Sequence, residues 1–70
     1  MSWNYRVLRH VDLNGRERHT IHEVYYKDGK PDRVTEEPCC ACGESIVALR
    51  DDIELMQEAL VLHILDYDQS

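Results

Sequence analysis

The residues best suited to chemistry stand together at Pro38-Cys39-Cys40-Ala41-Cys42-Gly43. Cys39 and Cys42 form a C-x-x-C, and Cys42 lies three residues before Ser45, where a helix is expected to begin. A helix N-terminus lowers a neighbouring thiol's pKa and favours thiolate chemistry. A thioredoxin-type redox site also needs a βαβ context, which this order of elements lacks. For zinc, three thiolates and one imidazole would suffice, so Cys39, Cys40 and Cys42 are the metal-ligand set to weigh. Adjacent cysteines point apart in most backbones, and no second C-x-x-C follows. The expectation is no metal and no cofactor, with three free thiols in a solvent-exposed loop.

The four histidines are His10, His19, His22 and His63. In the hairpin register preferred below, His10 faces His19. Such a pair suits a metal or a pH sensor, but two solvated strand residues are the plainer reading. His22 falls on the core side opposite Val7, as a hydrogen-bonded neutral imidazole. Arg6 faces Glu23, an ordinary surface ion pair worth less than about 1 kcal/mol rather than an acid/base couple. With no phosphate loop, nucleophile elbow or carboxylate dyad, no reaction class is supported and the chain reads as non-enzymatic.

The element that must organise these residues is the stretch 45–60. Ile46, Leu49, Ile53, Met56 and Leu60 recur at alternating spacings of three and four, one stripe of an α-helix. Ser45 is a good N-cap, and Gly43 lets the chain turn into the helix. Asp51, Glu54 and Glu58 lie on the polar side with Arg50 as its one cation. Like charges at Glu54 and Glu58 leave the helix dependent on packing of its stripe. Leu55 lies roughly opposite the stripe, either a scattered surface leucine or a second contact face for a partner.

Upstream, residues 3–10 and 19–26 read as strands joined at Asn14-Gly15, a hairpin signal because a type I′ turn needs positive φ at both central positions. A two-residue loop there pairs Leu8 with Ile21, Arg6 with Glu23, Tyr5 with Val24 and Trp3 with Tyr26, an arrangement cross-strand energetics favours. A three-residue loop through Leu13 would instead pair Val7 with Ile21. In the preferred register Trp3, Tyr5, Val7, Val24 and Tyr26 face the helix. Residues 27–30 form the second turn. A three-residue loop with Gly29 as a left-handed bulge keeps Val34 under the helix with Val24, whereas a two-residue loop at Asp28-Gly29 sends it to the other face. Residues 33–36 form a short edge strand, with Pro31 tolerable at its start. Residues 61–65 either prolong the helix, with Ile64 on its stripe, or form an extended tail, and residues 66–70 are expected to fray. The fold class is α+β: a three-stranded antiparallel meander followed by one C-terminal helix packed on one face, βββα.

Seventy residues make one small domain. A chain of this length buries only about 60% of its unfolded surface, and self-association is a common remedy. The net charge of −6 is uneven: residues 1–35 hold seven basic and five acidic side chains, residues 36–70 one basic and nine acidic. An acidic helix argues against nucleic acid, whose backbone attracts clustered Lys and Arg. No apolar signal region is seen in residues 1–7, and no run approaches the roughly 20 apolar residues of a membrane span. Three cysteines, an odd number, suit a reducing, cytoplasmic setting.

Trp3-Asn4-Tyr5-Arg6-Val7, then Ile21-His22-Glu23-Val24-Tyr25-Tyr26, then Gly43-Glu44-Ser45 before a leucine-patterned helix, resemble a family of short bacterial proteins across nearly the whole chain. His63 stands where that family often has a Pro before an apolar pair, and the Cys-rich loop departs from its usual Pro-containing loop. A weaker likeness is to the partial RNase-H-like βββα domain of HicB-type antitoxins, with the same strand order and a Gly-x-Ser/Thr entry to the helix. That likeness implies protein binding by analogy, and neither resemblance brings catalytic residues. The expected function is a small interaction or regulatory module that self-associates or binds a protein. The alternative is a thiol or metal-binding protein using the loop 39–42. The expected partner surface is the sheet face away from the helix, where Leu8, Ile21 and Tyr25 would cluster among Arg6 and Glu23.

Overall fold

The computed structural model describes residues 2–67. The chain forms β1 (Ser2–Val11), β2 (Glu17–Lys27), β3 (Lys30–Val34), α1 (Ile46–Ala59) and β4 (Leu65–Asp66). The first three strands are the expected antiparallel meander, with α1 packed on one face. The expected βββα plan is incomplete, because the two-residue β4 joins the sheet parallel to β1 and gives the order β3-β2-β1-β4.

The two turns exchange the lengths expected of them. Asp12 Oδ1 accepts from the backbone N–H of both Asn14 and Arg16, each at 2.9 Å. This Asx-type bonding draws Leu13 into the loop. Asp12 then pairs with Arg16 through its backbone N–H, and Gly15 alone takes positive φ, +80°. The loop is therefore three residues, Leu13-Asn14-Gly15, and β1 pairs with β2 through Val7↔Ile21. At the second turn Asp28 and Gly29 both have positive φ, which makes a two-residue primed turn with Lys27 opposite Lys30. A bulge between Tyr25 and Tyr26 shifts the register by one, so Val34 still pairs with Val24, as expected but by another route.

A register slip of one residue moves one strand's side chains to the other face of its partner. Tyr5 now lies opposite Glu23, Arg6 opposite His22 and Leu8 opposite Thr20. The helix side of the sheet carries Tyr5, Val7 and Ile21, which pack with Met56, Ala59 and Cys39. Val24 and Val34 lie on the other side, not under the helix. On that side the sheet curls until β3 and β4, its two edges, flank one cleft of about 530 Å³ with Leu8 at its floor. Leu8, His22 and Val24 are the largest fully buried side chains among the described residues, and all three sit within this curl.

The helix begins at the expected cap. Ser45 has extended backbone, and its hydroxyl accepts from the Ala48 N–H at 3.1 Å. Gly43 is required for space: a Cβ there would meet the Leu49 backbone N and stand 2.7 Å from the Ala48 carbonyl carbon. At the far end Leu60, Val61 and Leu62 donate to carbonyls three residues back, tightening the helix into a stop. Residues 61–65 do not prolong it. Leu65 pairs with Leu8, and the Tyr67 N–H donates to the Arg9 carbonyl at 3.0 Å. Asp66 and Tyr67, expected to fray, are thus held at the sheet edge, while the rest of that expected tail, 68–70, lies outside the described residues.

Candidate functional site

Of the expected stripe, only Met56 is buried and Leu49 half-buried. The helix meets the sheet through Leu49, Asp52, Met56 and Ala59, a line rotated from the predicted one and containing a carboxylate. The cause is the Tyr5 hydroxyl, which donates to Asp52 Oδ1 at 2.6 Å, while the Cys42 backbone N–H donates to Oδ2 at 3.0 Å. Sheet, helix and cysteine loop meet on one carboxylate. The Tyr5 hydrogen bond, then the Cys42 N–H, hold the Asp52 carboxyl below its ordinary pKa. The same hydrogen bond to Asp52, then burial, pushes the Tyr5 phenol well above its ordinary value.

Because this packed line is narrow, apolar residues are left outside on both flanks. Ile46, Val47 and Ile53 are exposed, and so are Leu55, Leu60, Val61 and Leu62. On the flank facing β1 they form a groove of about 420 Å³, lined by Trp3, Asn4 and Tyr5 on the strand side and by Leu55, Glu58, Val61 and Leu62 on the helix side. Trp3 stands edge-on to Tyr5, with ring centroids 5.3 Å apart. Here Trp3 is 46% exposed, Leu55 47% and Val61 85%. Beyond β1, β4 reaches only Leu8 and Arg9, so the outer edge of β1 beside this groove has no strand partner among the described residues. The groove is mostly apolar, open and built from large side chains, which suits binding.

The opposite side of the sheet buries a chain of polar groups beside Leu8 and Val24. His10 Nε2 lies 2.7 Å from the Thr20 hydroxyl, which lies 2.8 Å from His22 Nε2. His22 Nδ1 lies 2.9 Å from the Thr35 carbonyl. A carbonyl only accepts, so Nδ1 carries a proton. In the neutral ring Nε2 then accepts from Thr20, and Thr20 accepts from His10. The Tyr67 ring covers both imidazoles, with centroids 4.5 Å from His10 and 5.6 Å from His22. His22 has no solvent exposure, so this chain of hydrogen bonds ties β1, β2 and the loop after β3 together rather than meeting a substrate.

The five residues expected to form one partner surface do not share a face. Ile21, Glu23 and Tyr25 lie on the helix side, Arg6 and Leu8 on the other. Leu8 is buried beneath β4 and the cleft. Arg6 does not pair with Glu23. It donates to the Tyr26 hydroxyl at 2.8 Å and to the His63 carbonyl at 2.6 Å. Glu23 instead accepts from the Tyr25 hydroxyl at 3.0 Å and from the Cys39 thiol at 3.8 Å. Likewise His10 pairs with Arg18 and His19 with Arg9, so the two histidines face opposite ways. His22 is buried, as expected, but away from the helix.

The cysteine loop is only partly the solvent-exposed loop of thiols expected. Cys40 and Cys42 are exposed, but Cys39 is half-buried against the helix-side core, and its N–H donates to the Ile21 carbonyl at 2.8 Å. Among the described residues no group of three or more His, Cys, Asp or Glu converges on a metal-sized site. No helix among them is long and apolar enough to cross a membrane. Of the groove, the sequence had signalled Leu55 through its position opposite the stripe. Trp3, Val61 and Leu62 carried no such signal, because their meeting depends on where the helix stops. The chain matches no family model, no curated protein and no solved structure.

Proposed function

We propose that this chain is a small, non-catalytic protein-interaction module that docks through the groove between the start of β1 and the end of α1. The observation that carries the reading is the exposure of Trp3, Leu55, Val61 and Leu62 around one groove. Contiguous apolar surface of this kind marks interaction sites, whereas single exposed leucines need no explanation. Trp and Tyr side by side are the residue types that dominate interface energetics. The likeness to antitoxin partial domains, read from the strand order and the Gly-x-Ser entry to the helix, points the same way. Nothing in the arrangement favours the thiol or metal alternative over this reading.

The test is a photo-crosslinking residue placed at position 55 and, as a control, at Arg50 on the other flank of the same helix, in the cell. Position 55 should capture a discrete protein or a second copy of the chain, and position 50 should not. The captured species, once purified, should bind the wild type and not Leu55→Asp. Equal capture at both positions, or binding that survives Leu55→Asp, would refute the reading.

A further inference from the structure

We infer that the occupant of this groove is a basic amphipathic protein segment, not a second copy of the chain. The inference rests on the docking reading above and adds the chemistry of the partner. Glu58 is the one charged side chain lining the groove. On the helix, Asp51 lies four residues before Leu55 and Glu58 three after, so both stand on the Leu55 side of its turn. Asp52 lies behind Tyr5, bonded to its hydroxyl, while Glu54 lies on the other flank. The nearest cation in sequence, Arg50, is turned toward the other flank, where it lines a shallow depression with Ile46 and Ile53. Arg6, on β1, is occupied with Tyr26 and His63 on the far side of the sheet. The charged groups on this side of the helix are therefore the carboxylates of Glu58 and Asp51, and no cation lines the groove.

A second copy meeting this groove through its own helix would bring acidic rim against acidic rim, on chains of net charge −6 each. Like-charge juxtaposition at an interface costs several kcal/mol and is a common device against wrong partners. A segment presenting two or three large apolar anchors, with Lys or Arg beside them, satisfies floor and rim together. Such a partner would be steered by the field of the acidic half and lose affinity as salt rises.

Trp3 is the chain's one tryptophan and stands in the groove, so its emission reports occupancy directly. The experiment titrates the full chain with a Lys/Leu amphipathic helical peptide and with the Glu/Leu peptide of the same apolar pattern. The Lys/Leu peptide should shift Trp3 emission to the blue with saturation, and the Glu/Leu peptide should not. Glu58→Lys should weaken binding by about tenfold, the effect of roughly 1.4 kcal/mol lost at a rim charge. Leu55→Asp separates docking from charge alone: it adds a negative charge, so mere adsorption would strengthen, whereas docking should be lost. Leu55 is exposed, so the fold, followed by circular dichroism, should survive. Binding of both peptides alike, of neither, or of the Lys/Leu peptide by Leu55→Asp would overturn the inference. A Trp3 shift on concentrating the chain alone, abolished by Leu55→Asp, would also overturn it. It would identify a second copy as the occupant and leave the docking reading standing.

Discussion

The two faces of the sheet solve the same problem in opposite ways. On the helix side, a helix touches the strands along one narrow line and leaves large apolar groups in solvent at its flanks. On the other side there is no helix, yet Leu8, His22 and Val24 are fully buried, because the sheet curls and β4, Tyr67 and the loop at Thr35 close over them. The curled layer keeps its largest side chains beneath its own edges and leaves a cleft of mixed polar and apolar lining between them. The layer covered by a helix instead leaves an apolar groove in solvent, and the difference lies in Asp52. A carboxylate on the packed line fixes the helix rotation through Tyr5 and so turns Ile53 and Leu55 outward.

The largest effect should come from the sealed side. His22→Ala removes a ring from a fully buried site and strands the Thr35 carbonyl, so it should cost about 3–5 kcal/mol and can unfold so small a domain. His22→Phe keeps the volume but not the bonds, and should cost about 1–3 kcal/mol in urea melts. If both were neutral, the closed face would not be a core.

On the helix side the effects should follow the observed rotation. Met56→Ala should cost about 2–5 kcal/mol, as a buried large-to-small change does. Ile53→Ala, at 41% exposure, should stay within about 1 kcal/mol. Were the predicted stripe the packed one, the order would reverse, and thermal melts of the two variants decide it. Gly43→Ala should fall between them, at about 1–3 kcal/mol, because its Cβ meets helix backbone that has no room to move.

The Tyr5–Asp52 bond should be read through pH. Asp52 titrates lower in the folded chain than in the unfolded, so its contribution is full above the ordinary carboxylate range and is lost as pH falls through the depressed value. Tyr5 titrates higher in the folded chain, so its contribution is full below the unfolded value near 10 and fades as pH rises beyond it. Tyr5→Phe should flatten both limbs of the melting-temperature profile. Unchanged limbs would mean that the bond does not shift the two titrations. The smallest effect is kinetic: a thiol reagent should label Cys40 and Cys42 quickly and Cys39 slowly, and three equal rates would place Cys39 outside the core.

What the sequence made legible was local. The Ser45 cap, the helix span and the antiparallel meander follow from capping, periodicity and turn residues, and the structure bears them out. What escaped depends on single atoms or on distant partners. Asn14-Gly15 signals a two-residue turn, but Asp12 Oδ1 reaches two backbone N–H groups and lengthens the loop by one. That single residue brings Ile21, Glu23 and Tyr25 to the helix side while Leu8 and Arg6 stay on the other, which divides the expected surface. The packed helix face differs from the Ile46–Leu60 stripe because apolar periodicity does not count Asp52, which the hydroxyl of Tyr5, 47 residues away, draws inward by donating to it. β4 is two residues long, below the length at which alternation carries a signal.

The most direct test of the contrast between an open and a sealed face is an amide and indole NMR map of the chain bound to the species captured at position 55. Shifts confined to Trp3, Tyr5, Leu55, Glu58, Val61 and Leu62, with the amides of Leu8, His22 and Val24 unmoved, are the expected result. Shifts centred on Leu8, Val24 and Tyr67 with the Trp3 indole unmoved would contradict it, and would make the cleft between β3 and β4 the docking surface instead.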